Sequence, residues 1–170
     1  RRVFLLKFEI LAIIPARGGS KGIKRKNIKL LNGKPMLSYT AEEALKSRHL
    51  NRIILSTEDK EIAEIGKNLN LEVPFLRPRE LANDDSTTLD VIRFTLKELY
   101  RIEKYKPDAI MILQPTSPLR KVSHIDESIK IFEDKSPDSL VSLTQVPHTM
   151  SPNSVMRLKK NGTVVPLIKN

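Results

Sequence analysis

Residues 10–22 read Ile10-Leu11-Ala12-Ile13-Ile14-Pro15-Ala16-Arg17-Gly18-Gly19-Ser20-Lys21-Gly22, a near-continuous apolar run that breaks into a basic, glycine-rich loop. The run Ile10 to Ala16 suits a strand covered on both faces, because a strand with one wet face would alternate apolar and polar residues. Three glycines within five residues at its carboxyl end let the backbone approach a ligand with N–H groups exposed. Ligands of open α/β sheets bind at that edge. Arg17 and Lys21 would then supply charge to phosphate oxygens, Arg17 as a fork and Lys21 as a point charge. The same residues also suit a tight strand-to-loop turn with a solvated basic face, and spacing alone leaves both readings open. Two familiar phosphate motifs fail on spacing. The P-loop needs a hydroxyl residue after its lysine, where Gly22 follows Lys21, and Gly18, Gly19 and Gly22 do not make G-x-G-x-x-G.

Apolar runs and helical patterns alternate along the rest of the chain. Pro35 opens a helical stretch to about Ser47, with Met36, Leu37, Thr40, Ala44 and Leu45 toward its apolar side. Arg52 to Ser56 reads as a second strand. Asp59 to Asn70 fits a helix, with Ile62, Ala63, Ile65, Gly66 and Leu69 spaced by three and four. Leu71 to Leu76 is an extended run closed by Arg77-Pro78. Ser86 or Thr87 can cap the next helix, with Asp90 three residues after Thr87, and Val91, Phe94, Thr95, Leu99 and Ile102 carry it to about Lys104. Asp108 to Leu113 is the most apolar strand and is expected at the sheet centre. A helix over Val122 to Asp134 and a strand over Ser139 to Val146 follow. Val155 to Leu158 and Thr163 to Leu167 flank Asn161-Gly162, a hairpin turn signal. Strands separated by helices of this length indicate βαβ units and a mainly parallel sheet, an open α/β domain.

Composition narrows the class. The chain of 170 residues is 39% hydrophobic and 29% charged, which describes an ordinary globular domain rather than a disordered or fibrous one. No apolar run approaches the roughly 20 residues that span a bilayer, so no membrane partner is expected. The opening Arg1 to Ile10 lacks the pattern of a secretory signal. Zero cysteines exclude a disulfide framework, a thiolate zinc site and a cysteine nucleophile, and a cytoplasmic location is the expectation. The net charge of +10 suggests a polyanion partner. Between Glu9 and Glu42 there is no carboxylate, while Arg17, Lys21, Lys24, Arg25, Lys26, Lys29 and Lys34 all fall inside. Aromatics make up 5% of the chain and none interleaves with these bases, which weakens a single-strand nucleic-acid reading because that mode wants stacking platforms. A triphosphate fits better. Lys24-Arg25-Lys26 as a nuclear address is secondary, since it overlaps the phosphate loop.

The segments Ile13 to Gly22, Lys26-Asn27-Ile28, Gly33-Lys34-Pro35, Ile54-Leu55-Ser56-Thr57, Phe75-Leu76-Arg77-Pro78 with Glu80-Leu81-Ala82, and Leu113-Gln114-Pro115-Thr116-Ser117-Pro118-Leu119-Arg120 together resemble the CMP-sialic acid synthetases. These are the acylneuraminate cytidylyltransferases, with relatives acting on legionaminic and pseudaminic acid. The resemblance implies a three-layer, Rossmann-like nucleotidyltransferase fold with a mainly parallel sheet, in one cytidylyltransferase domain over residues 1–170 that is truncated at its C-terminal end. It implies coupling of CTP to a nine-carbon 2-keto sugar acid with magnesium, release of pyrophosphate, and a homodimer. Arg17, Ser20 and Lys21, in the Ala16-Arg17-Gly18-Gly19-Ser20-Lys21 loop, would hold the triphosphate, aided by Lys26 and Asn27. Arg77 and the hydroxyls of Thr87 and Thr88 would lie near the nucleotide, and Gln114 would contact the sugar. Arg17 and Lys21 are assigned the catalytic charge. The family's metal-binding Asp pair is expected beyond Asn170, so no metal ligand and no general base are assigned.

Gln114 also stands out from the residues themselves. It is the first polar residue after the apolar Ala109 to Leu113, and its amide can donate and accept toward a polyhydroxy ligand, or satisfy turn backbone. His49, His124 and His148 are scattered and read as surface or packing residues. Asp84-Asp85 reads as a solvated, helix-capping loop ahead of a metal site. Asp108 reads as a strand-start residue. Val164 to Ile168 is apolar enough to want a partner. The alternatives are a non-catalytic fragment that binds a nucleotide or acidic sugar, the same reaction on KDO, and a basic nucleic-acid-binding domain.

Overall fold

The computed structural model describes residues 8–151 and 154–168. The opening Arg1–Lys7, part of the stretch read as lacking a secretory signal, lies outside the described residues. The chain divides between Ser136 and Pro137 into two compact units.

The first unit is built on strand β1, Ile10–Pro15. Leu11, Ala12, Ile13 and Ile14 have no exposed surface, as the continuous apolar run requires. A basic loop leads to two short strands, β2 (Leu30–Leu31) and β3 (Lys34–Pro35), paired antiparallel. Asn32 and Gly33 between them have φ of 48° and 85°, the backbone of a type I′ hairpin. The sequence reading passed over this hairpin. Helix α1 (Met36–Lys46) starts behind Pro35 and buries Leu37, Ser38, Thr40, Ala41 and Ala44. Leu45 points outward. Strand β4 (Arg52–Ser56) and helix α2 (Lys60–Asn68) follow, and the Asp59 side chain caps α2 by accepting the Ile62 N–H at 3.0 Å.

The run after α2 is extended, but its only ladder contact among the described residues is a bridge from Glu72 to Ile54. Helix α3 (Thr88–Glu103) opens on the expected capping box: the Asp90 N–H donates to Thr87 Oγ1 and the Thr87 N–H to Asp90 Oδ2. Strand β5 (Ala109–Ile112) and helix α4 (Val122–Lys135) complete the unit. Asp108, expected to start this strand, stands just before it, its carboxylate accepting the Glu9 N–H at 2.8 Å.

The three long strands are parallel, in the order β4-β1-β5, with Ile13 opposite both Ile54 and Ile112. This corrects the expectation for residues 108–113: among the described residues that strand is an outer one and β1 is central. Apolar content misled because β5 is only half-buried, with Ile110 exposed, whereas β1 is covered on both faces. On one face Leu11, Ile13 and Ile54 pack against Leu99, Leu96 and Ile92 of α3. On the other, Ala12, Ile14 and Leu55 meet Leu37 and Ala41 of α1, Ile62 of α2, and Ile125 and Ile129 of α4. Helices on both faces of one sheet make three layers. Each fully buried Leu or Ile stabilises by about 1.5–3 kcal/mol, so β1 is the main apolar anchor.

The chain leaves β1 to form β4 on one flank and returns to form β5 on the other. The carboxyl end of β1 therefore lies where the strand order reverses, the place at which open α/β sheets take ligands.

The second unit contains β6 (Met156–Leu158) and β7 (Val164–Pro166), an antiparallel pair around the expected Asn161-Gly162 turn, with Gly162 at φ 81°. Val164 thus pairs within a hairpin. No strand forms over 139–146, against expectation. A strand is defined by its ladder partner, and β-propensity without one does not produce it. No helix among the described residues is long and apolar enough to cross a membrane.

Candidate functional site

The loop after β1 is held from below by carboxylates that follow β4. Gly18 N–H donates to Glu58 Oε1 at 2.7 Å. The other Glu58 oxygen accepts from Arg77 Nη2 at 3.0 Å and Nε at 3.3 Å. Arg77 is buried, which pushes its pKa down against the opposing pull of Glu58. Arg77 is further fixed through its backbone N–H on the Thr57 carbonyl. Beside this pair, Asp59 takes Arg25 in a two-pronged contact at 2.9 and 3.1 Å, and the Arg25 hydrogen bond holds the Asp59 pKa below its ordinary value. Glu61 accepts from the same guanidinium at 2.8 Å.

Gly18 sits so close to this group that a Cβ on it would come within 2.5 Å of Asp59 Oδ2. Gly19 and Gly22 have nothing within 4 Å of that position, so only Gly18 of the three is required by close contact. The N–H groups of Gly19 and Lys21 have no acceptor among the described residues, whereas Ser20 donates to the Gly18 carbonyl. Buried Asn27 fixes the Arg17 carbonyl at 2.9 Å.

Above the loop lies an open cleft of about 560 Å³, lined by Gly19, Ser20 and Lys21 on one side and Ala82 to Asp85 on the other. Arg17 crosses it to the carbonyl of Asn83 at 3.3 Å and to Asp84 at 3.1 Å, and Lys21 reaches Asp84 at 2.5 Å. The hydrogen bond from Lys21, then that from Arg17, holds the Asp84 carboxyl below its ordinary range. Asp84 was read as a capping residue. The structure gives the cap to Thr87 and gives Asp84 the two loop cations instead. The two cations assigned to phosphate thus converge on one carboxylate, Asp84.

The remaining sequence-derived residues are more spread. Ala16 is buried, its N–H on the Ser56 carbonyl. Lys26 starts a short 3₁₀ turn, Lys26–Ile28, and does not line the cleft. Thr87 and Thr88 cap and begin α3, just beyond the cleft wall. Gln114 is exposed past β5, also outside the cleft lining. Its carbonyl accepts from Arg120 Nη1 at 3.2 Å, and the same Nη1 reaches Thr40 Oγ1 at 3.2 Å. Burial lowers the Arg120 pKa, and no carboxylate pairs with it among the described residues. No cluster of three or more His, Asp or Glu suited to a metal occurs among the described residues.

Sequence reasoning missed Glu58 and Asp59. Their signal was position, since both follow directly on the carboxyl end of β4, the same sheet edge that made Arg17 and Lys21 candidates. It also treated the carboxylate-free stretch as uniformly cationic. In the fold, Arg25 pairs with Asp59 and Glu61, Lys34 with Glu42, and Arg17 and Lys21 with Asp84. Among the described residues Lys24, Lys26 and Lys29 have no ion pair.

Known proteins resemble this chain in sequence and in fold. The family described as cytidylyltransferase matches residues 11–165. The CMP-N,N'-diacetyllegionaminic acid synthase of Legionella pneumophila is 36% identical over 158 residues, 92% of this chain and 66% of that protein. The N-acylneuraminate cytidylyltransferase of Escherichia coli is 37% identical over 128 residues, 75% of this chain and 29% of that protein. The pseudaminic acid cytidylyltransferase of Campylobacter jejuni is 33% identical, covering 79% of this chain and 58% of that protein. This chain spans less than two thirds of the length of each. Among solved structures, CMP:2-keto-3-deoxy-manno-octonic acid synthetase complexed with CTP superposes over 75% of this chain and 48% of that one, with a TM-score of 0.62 at 20% identity. At that identity the likeness speaks for the fold: a Rossmann-like nucleotidyltransferase architecture. A glycine loop at the reversal of strand order, in a fold of this type and within a sequence match running nearly end to end, places the chain in the cytidylyltransferase family.

Proposed function

We propose that this chain carries the nucleotide-binding machinery of an enzyme that activates a nine-carbon 2-keto sugar acid with CTP, giving the CMP-sugar and pyrophosphate. The observation that carries the reading is the convergence of Arg17 and Lys21 on one anion position beside the unpaired amides of Gly19 and Lys21. The anomeric hydroxyl of the sugar attacks the α-phosphorus in line, and the bond to the bridging oxygen of the leaving pyrophosphate breaks. Charge grows on the departing phosphates, so fixed cations and backbone dipoles aimed there lower the barrier most. Arg17 and Lys21 take that role. Ser20 adds a hydroxyl at the same wall, and Asn27 holds the loop by its grip on the Arg17 carbonyl. Gln114, past the end of β5, faces the sugar in this reading, and the Arg120 hydrogen bond to its carbonyl orients it.

Magnesium belongs to the proposed reaction, where it would supply positive charge against the triphosphate. The described residues do not fit its site: of the two cleft carboxylates Asp84 is spent on Arg17 and Lys21, Asp85 is a single carboxylate, and no cluster of three candidate ligands occurs among the described residues. The steps above therefore rest on this chain's cations and amides. That residues 1–170 belong to one cytidylyltransferase domain, a homodimeric assembly and a cytoplasmic location complete the proposal, the first two being tested by limited proteolysis and sedimentation.

The deciding experiment is pyrophosphate release from CTP with a panel of sialic, legionaminic, pseudaminic and KDO acids. Turnover with one of the nine-carbon acids is expected, and Lys21→Ala lowers it by about 10²-fold or more. Near-normal turnover in Lys21→Ala removes Lys21 from the role given to it.

A further inference from the structure

A carboxylate beside a triphosphate site repels the ligand unless something neutralises it. Glu58 lies two residues past β4, its side chain only 11% exposed, directly under the glycine loop. One oxygen is spent on the Gly18 N–H and the other on Arg77, whose side chain is 3% exposed. The charge of Glu58 is therefore matched inside the protein and does not face the cleft.

The two groups it joins belong to opposite walls. Gly18 leads directly into Gly19, Ser20 and Lys21. Arg77 leads through Pro78 and the short turn Arg79–Ala82 into Asn83, Asp84 and Asp85. Those two segments have no strand pairing with each other; each is anchored by one backbone bond to the end of β4, Ala16 N–H on the Ser56 carbonyl and Arg77 N–H on the Thr57 carbonyl, and beyond those anchors side-chain contacts hold the spacing.

We propose that Glu58 is a positioning residue for the nucleotide: its two oxygens tie the loop after β1 to the Arg77 segment and so set the width of the cleft between them. This rests on the cytidylyltransferase reading and deepens it. Burial, and after it the positive charge of Arg17, work against the Arg77 cation, and the Glu58 carboxylate offsets them. Loss of the tie lets the walls drift, and misplacement by about 1 Å is costly in a preorganised site.

The test compares Glu58→Gln and Glu58→Asp with the unaltered full chain, by CTP and sugar-acid kinetics, thermal melting and exchange of the Gly18 amide. Gln keeps an acceptor for Gly18 but leaves Arg77 without its counter-charge. Asp keeps the charge but is one methylene too short to hold both partners. The expected result is a CTP KM raised about tenfold or more in Glu58→Gln, with the sugar-acid KM within about twofold of the unaltered protein. A lowered melting temperature with unchanged CTP KM would make Glu58 a strut of the fold and overturn the proposal. If Glu58→Gln does not fold, Glu58→Asp decides: a raised CTP KM together with faster Gly18 exchange supports the tie, and any other combination overturns it. Lack of CTP turnover in the unaltered protein, by contrast, sinks the cytidylyltransferase reading itself.

Discussion

Replacing Gly18 by alanine separates the structural glycine from the functional ones. A Cβ at Gly18 would sit 2.5 Å from Asp59 Oδ2 and 3.1 Å from both Asp59 Cβ and Cγ. Asp59 cannot swing aside freely, because it caps α2 through Ile62 and holds Arg25 by two hydrogen bonds. Losing the cap alone costs about 1 kcal/mol. If the loop moves instead, Gly18 N–H leaves Glu58, and a hydrogen bond to a charged group contributes about 1.5–3 kcal/mol. Either route gives a loss of about 1–3 kcal/mol, or roughly 3–10 °C in Tm for a chain of this size. Gly19→Ala is the control. Its Cβ meets nothing within 4 Å, so stability changes by less than about 1 kcal/mol, on the stabilising side through the unfolded chain. Because Gly19 lines the cleft, its alanine variant raises the KM for CTP instead. Thermal melts followed by circular dichroism, paired with CTP kinetics, read both effects. If Gly18→Ala melted with the unaltered protein, or Gly19→Ala lost as much stability, the account of the loop would be wrong.

Two further outcomes follow from the charges around the cleft. Asp84→Asn removes the carboxylate that occupies Arg17 and Lys21, so CTP has less to displace. The CTP KM should fall by about two- to tenfold at low salt, with the gain shrinking as salt screens the exposed pair; an unchanged or higher KM at low salt speaks against the competition. Asp59 has a folded pKa held below its ordinary 3.8 mainly by the Arg25 hydrogen bond. Its contribution to stability is complete above that ordinary value and is lost as pH falls through the lower folded one. Urea midpoints between pH 5 and 2.5 should drop more steeply for the unaltered protein than for Asp59→Asn, which can still cap α2 but no longer titrates. Equal slopes would exclude Asp59 as a source of acid sensitivity.

Some of this was legible along the chain and some was not. The hairpin at Asn161-Gly162 was read from its dipeptide, while the same dipeptide at Asn32-Gly33 went unread because the flanking strands are only two residues long. Thr87 and Asp90 announced their capping box because both partners lie within one helical turn. Asp84 was misread because its partners, Arg17 and Lys21, are more than sixty residues away. The stretch 139–146 has strand-forming residues, yet pairing is a property of two segments, and one segment cannot reveal it.

Local order of residues is enough to establish the buried strand Ile10–Pro15, the glycine loop, most helix boundaries and the cations of the cleft, since each depends on neighbours within a few positions. Contacts across the fold decided which strand is central, which glycine is sterically required, and which carboxylates neutralise the basic stretch. Those are matters of distance in space between residues far apart in sequence, as with Gly18, Glu58 and Arg77, and a linear pattern carries no information about such distances until the sheet has brought their loops to one edge.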